Sequence, residues 1–239
     1  MNAVELYHDL KSYCEQHADA AVVKKYSRFF KEGYDAHGVR DNLLHSKVDL
    51  LLTKEDIDLP LIYETARLLV RSGKYEETFL AVMLLRPHPK KFSTTLFAEL
   101  TQWFETGIHN WAHTDVICRD LSSPLLLKKI IDLNDLAPWR KAENKYQRRA
   151  VPVSLIPLLK QSDDYQPFFK CIEPLMQDPE RCVQQGLGWF LREAWKLKRD
   201  ETETFLLKWK ETAPRVIYQY ATEKMTREEK QRFRREKKK

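Results

Sequence analysis

The stretch Val183-Gln184-Gln185-Gly186-Leu187-Gly188-Trp189-Phe190-Leu191-Arg192-Glu193-Ala194-Trp195-Lys196 decides the fold class. Val183, Leu187, Phe190, Leu191 and Ala194 recur at the spacing of one helical face, so the segment reads as an amphipathic helix over about 180–198 with that stripe in the core. Asp178-Pro179-Glu180 ahead of it reads as the helix start, with Asp as N-cap and Pro at the first helical position. Working outward, the same spacing recurs almost throughout the 239 residues. Helices are expected at about 3–17, 20–32, 40–52, 60–72, 74–86, 91–106, 110–120, 122–133, 144–160, 163–177, 201–211, 213–222 and 226–237. Ser72-Gly73 and Arg86-Pro87-His88-Pro89 punctuate them. Only six glycines are present, and no Asn-Gly or Asp-Gly hairpin signal occurs. The fold class is therefore all-α.

Short links between these helices imply antiparallel neighbours. Pairs of helices recurring about every 35–45 residues suggest HEAT-like repeats forming a curved α-solenoid. No repeat consensus stands out, and a compact orthogonal bundle is the rival. A solenoid would offer a concave face that wraps a rod-like partner. One helical domain is expected over residues 1–225, followed by a basic tail over 226–239.

The net charge is +6, but Arg227–Lys239 holds eight Lys/Arg against three Glu, so the rest of the chain is close to neutral. A nucleic-acid surface in the body must then come from segregated charge. A tail of this kind reads as a solvated segment. Cys14, Cys118, Cys171 and Cys182 show no CxxC spacing and read as reduced, partly buried thiols of a cytosolic protein, with neither disulfide nor zinc expected. The first residues are acidic early and lack an apolar core, unlike a signal peptide. No run reaches the roughly 18 apolar residues a membrane helix needs.

Four stretches could carry chemistry. On the helix near 180–198, Gln185, Trp189, Arg192 and Lys196 fall off the core stripe. They read either as a Trp covering a neighbouring helix under cationic stems, or as an aromatic cleft wall facing sugar-phosphate. Trp111 and Asp115 are four apart and share a helical face. A carboxylate in so apolar a helix costs free energy to bury unless it is paired, for which Arg119 is at hand, or functional. His113 lies off that face and reads as a plain polar residue. Arg148 and Arg149 point about 100° apart, so one at most shares a face with Asp115; both could equally be solvated. Lys24-Lys25-Tyr26-Ser27-Arg28-Phe29-Phe30-Lys31 interleaves cations and aromatics, as phosphate contact or any amphipathic helix would.

Taken jointly, Tyr26-Ser27-Arg28-Phe29-Phe30-Lys31 with Gly38-Val39-Arg40, Trp111 with Asp115, Gln147-Arg148-Arg149-Ala150, and Leu187-Gly188-Trp189-Phe190-Leu191-Arg192-Glu193 resemble the AlkD-type DNA alkylation repair family over roughly residues 10–200. The resemblance implies HEAT-like repeats with duplex DNA in a basic concave groove. It implies excision of N3- or N7-alkylated purines, with Asp115 as the catalytic carboxylate and Trp111, Trp189 and Arg149 around it. Tyr26, Lys25, Arg28, Arg148, Arg192 and Lys196 would meet DNA. Such enzymes are understood to read the duplex backbone without a deep base-flipping pocket. No cofactor or metal is implied. A monomer is expected, cytoplasmic and nucleoid-associated when bound to DNA. Pro152 and Pro157 interrupt the helix that carries Arg149 and are expected to kink it. A non-catalytic relative binding branched or distorted DNA, and a protein-binding scaffold, are the alternative functions.

Overall fold

A computed structural model describes residues 1–236. Among them helices carry the fold and no strand is present. The chain divides into two compact units, Met1–Leu121 and Ser122 onward. Unit 1 contains α1 (Ala3–Gln16), α2 (Ala20–Ser27), α3 (Asp41–Leu52), α4 (Leu59–Arg71), α5 (Tyr75–Leu85), α6 (Thr94–Thr106) and α7 (Trp111–Ile117). Unit 2 contains α8 (Ser123–Leu127), α9 (Lys145–Leu155), α10 (Gln166–Ile172), α11 (Arg181–Leu197), α12 (Arg199–Trp209), α13 (Arg215–Ala221) and α14 (Arg227–Gln231).

In unit 1, α5 packs against α4, α3 and α7, and α4 also meets α1 and α6. Helix starts follow local chemistry. Asp58 accepts from the Leu61 N–H at 3.0 Å and Pro60 occupies the first turn of α4. Asp19 accepts from the Ala21 N–H at 2.8 Å at the head of α2. Yet α2 buries none of its residues. Its hold on the unit lies at its head, where the Asp19 N–H donates to the His37 carbonyl at 3.0 Å. Gly38 is required there: its φ is +85°, and a Cβ would lie 2.2 Å from the Asp19 carbonyl oxygen.

In unit 2, α11 packs against α9, α12 and α13. Its expected stripe is fully buried at Val183, Leu187, Phe190, Leu191 and Ala194. Burying each of the larger side chains contributes about 1.5–3 kcal/mol. The helix starts later than expected, at Arg181 with Glu180 as N-cap, and without a side-chain cap. Asp178 instead accepts from the Glu180 N–H at 2.9 Å and from the Arg148 Nε at 2.6 Å.

The departures from the expected helices occur where the backbone loses its α register. The helix expected over 110–120 gives way after Ile117 to a π-helical turn, Cys118–Ser122. The helix expected over 122–133 stops at Leu127, and Lys129 takes a positive φ of 56°. α9 runs through Pro152 and passes after Leu155 into a 3₁₀ segment, Ile156–Gln161, which has Pro157 near its start. Arg149 therefore sits on regular helix.

Residues 226–236 are mostly exposed, yet the segment is anchored to unit 2. Phe233 is fully buried, Arg215 donates to its carbonyl at 2.9 Å, and Arg235 donates to the Ala213 carbonyl at 2.9 Å. Arg232 pairs with Glu203. An apolar anchor plus carbonyl-directed arginines makes this segment part of unit 2, which its charge alone did not suggest. Residues 237–239 of the expected tail lie outside the described residues.

Candidate functional site

Unit 1 carries Trp111, Asp115, Lys25, Tyr26 and Arg28. Asn110 caps α7, accepting from the His113 N–H at 2.9 Å. Trp111 occupies the first turn, is 39% exposed, and donates its indole N–H to the Phe29 carbonyl at 3.4 Å. One turn on, Asp115 is half-buried on the same face. Arg119 forks onto Asp120 at 2.6 and 2.8 Å.

The Trp111 ring stacks on Phe30 (5.4 Å, 13°), and Phe30 stacks on Tyr34 (4.5 Å, 13°). Tyr75 stands edge-on to both Phe30 and Tyr34. These rings back a cavity of about 810 Å³ that α2 walls with Val22, Lys25 and Tyr26. Thus Trp111, Tyr26 and Lys25 share one cavity. Asp115 does not line it, and Arg28 lies outside, its guanidinium 4.8 Å from the Phe29 ring centroid.

Three residues that support this geometry were not singled out from the sequence. Glu76 is buried, and its carboxylate accepts from the His37, Gly38 and Val39 N–H groups at 2.8, 2.7 and 3.1 Å, fixing the loop that carries Phe30 and Tyr34. Burial, with Glu76 and Asp41 nearby, holds the Tyr34 and Tyr75 hydroxyls well above the usual phenol range. His113 is no plain polar residue. It is buried, stacks on Tyr75 (5.2 Å, 28°), and lies with Nε2 3.0 Å from the Tyr75 carbonyl. Burial pushes its pKa down to about 3, partly countered by that carbonyl, so the ring is neutral and Nε2 donates. A single His within an apolar helix gave no sequence signal for this role.

Unit 2 carries Arg148, Arg149, Trp189, Arg192 and Lys196. Arg149 is buried on α9 and donates to the Cys182 carbonyl on α11 at 2.7 Å. Trp189 is half-buried on α11. The glycine before it serves packing: a Cβ on Gly188 would lie 2.5 Å from the Tyr220 Cβ and 2.7 Å from the Ile217 carbonyl oxygen, so α13 approaches as closely as it does only because α11 has no side chain there. Arg148, expected to meet DNA, is held by partners within unit 2. Its donors are taken by Asp178 and by the Ala142 and Glu143 carbonyls at 2.7 and 2.9 Å, which makes it a tie within unit 2. Arg192 pairs with Glu193 and Glu223, and Lys196 with Glu193. Among the described residues no group of three or more His, Cys, Asp or Glu could hold a metal ion, and no helix is long and apolar enough to cross a membrane.

Solved structures share this all-helical fold. One from Enterococcus faecalis, described as a "Predicted DNA alkylation repair enzyme", matches with a TM-score of 0.72 at 16% identity, over 88% of this chain and 98% of its own. AlkD2 from Streptococcus mutans matches with a TM-score of 0.58 at 19% identity, over 89% and 97%. The protein smu.31 from Streptococcus mutans UA159 matches with a TM-score of 0.57 at 20% identity, over 89% and 98%. No curated protein matches the sequence. The sequence profile of the DNA alkylation repair enzyme family matches residues 10–225, and the chain belongs to that family.

Proposed function

We propose that the protein is a DNA glycosylase that hydrolyses the N-glycosidic bond of N3- or N7-alkylated purines in duplex DNA, acting as a monomer without metal or cofactor. The observation that carries this reading is the pairing on α7 of an exposed Trp111 face with Asp115 one turn away, beside a cavity whose outer wall bears Lys25 and Tyr26. Alkylation leaves a purine cationic, so the C1′–N bond breaks with its electron pair passing to the base, which departs neutral. The sugar is left with oxocarbenium character. A carboxylate at C1′ stabilises that cation and accepts a proton from the water that attacks it. The indole faces of Trp111 and Trp189 suit cationic sugar or base. Arg149, which donates to the Cys182 carbonyl, would fix a phosphate or orient Asp115 as a planar fork of donors. Lys25, Tyr26 and Arg28, exposed at the end of α2, make backbone contacts, while Arg192 and Lys196 meet DNA only by leaving their carboxylate partners.

The test is base release from a duplex with one N7-methylguanine, comparing the native protein with Asp115→Asn. Release by the native protein, reduced at least a hundredfold in the variant with DNA affinity retained, is the expected result. Salt-sensitive DNA binding without release would instead make the protein a non-catalytic binder of distorted DNA.

A further inference from the structure

A reciprocal clasp holds the closing segment to unit 2. Arg215 on α13 donates from Nη1 to the Phe233 carbonyl, and Arg235 donates from Nη2 to the Ala213 carbonyl, each at 2.9 Å. Both bonds end on neutral carbonyls, so they orient the guanidiniums without compensating their charge. Elsewhere in unit 2, Arg148, Arg192, Arg199 and Arg232 each hold a carboxylate. Among the described residues, Arg215, Arg234 and Arg235 have no carboxylate at ion-pair distance. Glu211 and Glu236 stand close by, but Lys210 takes both, at 3.7 and 3.1 Å. The Glu236 N–H also donates towards the Glu211 carboxylate, at 3.3 and 3.4 Å.

The three guanidiniums repel one another. Burial holds Arg215 below its ordinary pKa, and Arg235 and Arg234 push it the same way, against Tyr218 and Glu211. An anion among them relieves that repulsion. The cluster is also preorganised. The Arg215 guanidinium lies 4.5 Å from the Tyr218 ring centroid, and Tyr218 is fully buried, its hydroxyl donating to the Leu206 carbonyl at 2.7 Å. Phe233, also fully buried, fixes the backbone from which Arg234 and Arg235 project. Both of those arginines are exposed. Planar guanidinium forks match the oxygens of a phosphate, and side chains already held in place lose little freedom on binding.

We infer that Arg215, Arg234 and Arg235 form a phosphate-binding site for the backbone of duplex DNA, apart from the residues proposed to carry the chemistry. Arg149 lies on α9 and Trp189 on α11, whereas this cluster is built from α13 and the closing segment. The family profile matches up to residue 225, so Arg234 and Arg235 lie beyond it. Phosphate contact carries no base information, so the site adds affinity equally on damaged and undamaged duplex. The inference rests on the reading that the partner is DNA, and not on base release.

The test is fluorescence anisotropy of a labelled undamaged duplex, titrated with the full chain over a series of salt concentrations. Arg234→Glu should weaken binding about tenfold at low salt. It should also reduce the slope of log affinity against log salt by about 1, the loss of one phosphate contact. The helical signal and the urea midpoint should not change, because among the described residues nothing bonds the Arg234 side chain. Lys170→Glu makes the same charge change at an exposed position of α10 and should stay within about twofold of the native protein. Duplex affinity indifferent to Arg234→Glu overturns the inference, and so does an equal loss in Lys170→Glu, which traces the effect to net charge. Binding to poly-glutamate that Arg234→Glu abolishes, with duplex affinity unchanged, makes the partner an acidic protein segment and overturns it too. Base release from the N7-methylguanine duplex is measured on the same proteins. Release with an affinity independent of Arg234 sinks this inference and leaves the glycosylase reading; an affinity that depends on Arg234, without release, does the reverse.

Discussion

Replacing Gly188 by Ala separates what the Gly-Trp segment contributes to folding from what it contributes to chemistry. The added Cβ would lie 2.5 Å from the Tyr220 Cβ and 2.7 Å from the Ile217 carbonyl oxygen. Ordinary carbon contacts fall at about 3.5–4.0 Å, so α13 must retreat by about 1 Å. Neither obstacle is the free end of a flexible side chain. Overpacking of this kind costs about 1–3 kcal/mol. Against it stands the helix preference for Ala over Gly, about 1 kcal/mol. The net expectation is destabilisation of unit 2 by up to about 2 kcal/mol. Gly186, two residues earlier, is the internal control. A Cβ there meets the Arg149 Cγ at 3.2 Å and the Val153 Cγ2 at 3.4 Å, contacts that small side-chain shifts relieve. Gly186→Ala should fall within about 0.5 kcal/mol of the native protein. The assay is urea unfolding by far-ultraviolet circular dichroism, taking the transition that belongs to unit 2 if two are resolved. Equal effects of the two substitutions, or a stabilising Gly188→Ala, would refute the close-packing account of this glycine.

Three further outcomes are expected. Arg148→Ala leaves Asp178, whose side chain is only 5% exposed, without its partner and should cost about 3 kcal/mol; the Arg148→Ala/Asp178→Ala double variant should cost less than the sum of the singles, measured by a double-mutant cycle in urea. His113 stays neutral in the folded state down to about pH 3, whereas the unfolded chain binds a proton near pH 6.5, so its contribution to stability is present above pH 6.5 and is lost as the pH falls towards 3. The difference in stability between the native protein and His113→Gln should therefore shrink by up to about 1.4 kcal/mol per pH unit across that window, and a pH-independent difference would contradict a neutral buried ring. Phe233→Ala should destabilise unit 2 by about 3–4 kcal/mol, read as a lowered urea midpoint; a change confined to the salt dependence of DNA binding would return the segment to the role of a solvated tail.

The α11 stripe was legible because five apolar residues at helical spacing admit one buried face, and all five are buried. Helix ends were less legible. The π-turn after Ile117 ends two residues before Pro124, whose ring crowds the carbonyl four residues back, and the positive φ at Lys129 falls on a residue that gives no local signal for it. Trp111 and Asp115 could be placed on one face from their spacing alone. The cavity beside them could not: Phe30, Tyr34, Tyr75 and Trp111 follow no common period, and they meet because Glu76 ties the loop at 37–39 to the head of α5. Arg148 has a partner that its sequence neighbourhood does not reveal. An arginine pair beside a candidate site suggests phosphate contact, but the carboxylate that claims one of them is thirty residues away in sequence.

The burial of Phe233 has a consequence for the order in which the chain can acquire structure. All residues of unit 1 precede position 122, so its interior can close while the remainder is still being synthesised. Unit 2 has no such freedom. One of its largest fully buried side chains comes from position 233, and the carbonyls that receive Arg215 and Arg235 bind that same closing segment to the start of α13. Until it arrives, the interior of unit 2 lacks one of its fully buried side chains. A nascent chain stalled short of that point would present a finished first half and a second half with exposed apolar surface, open to chaperones and proteases alike.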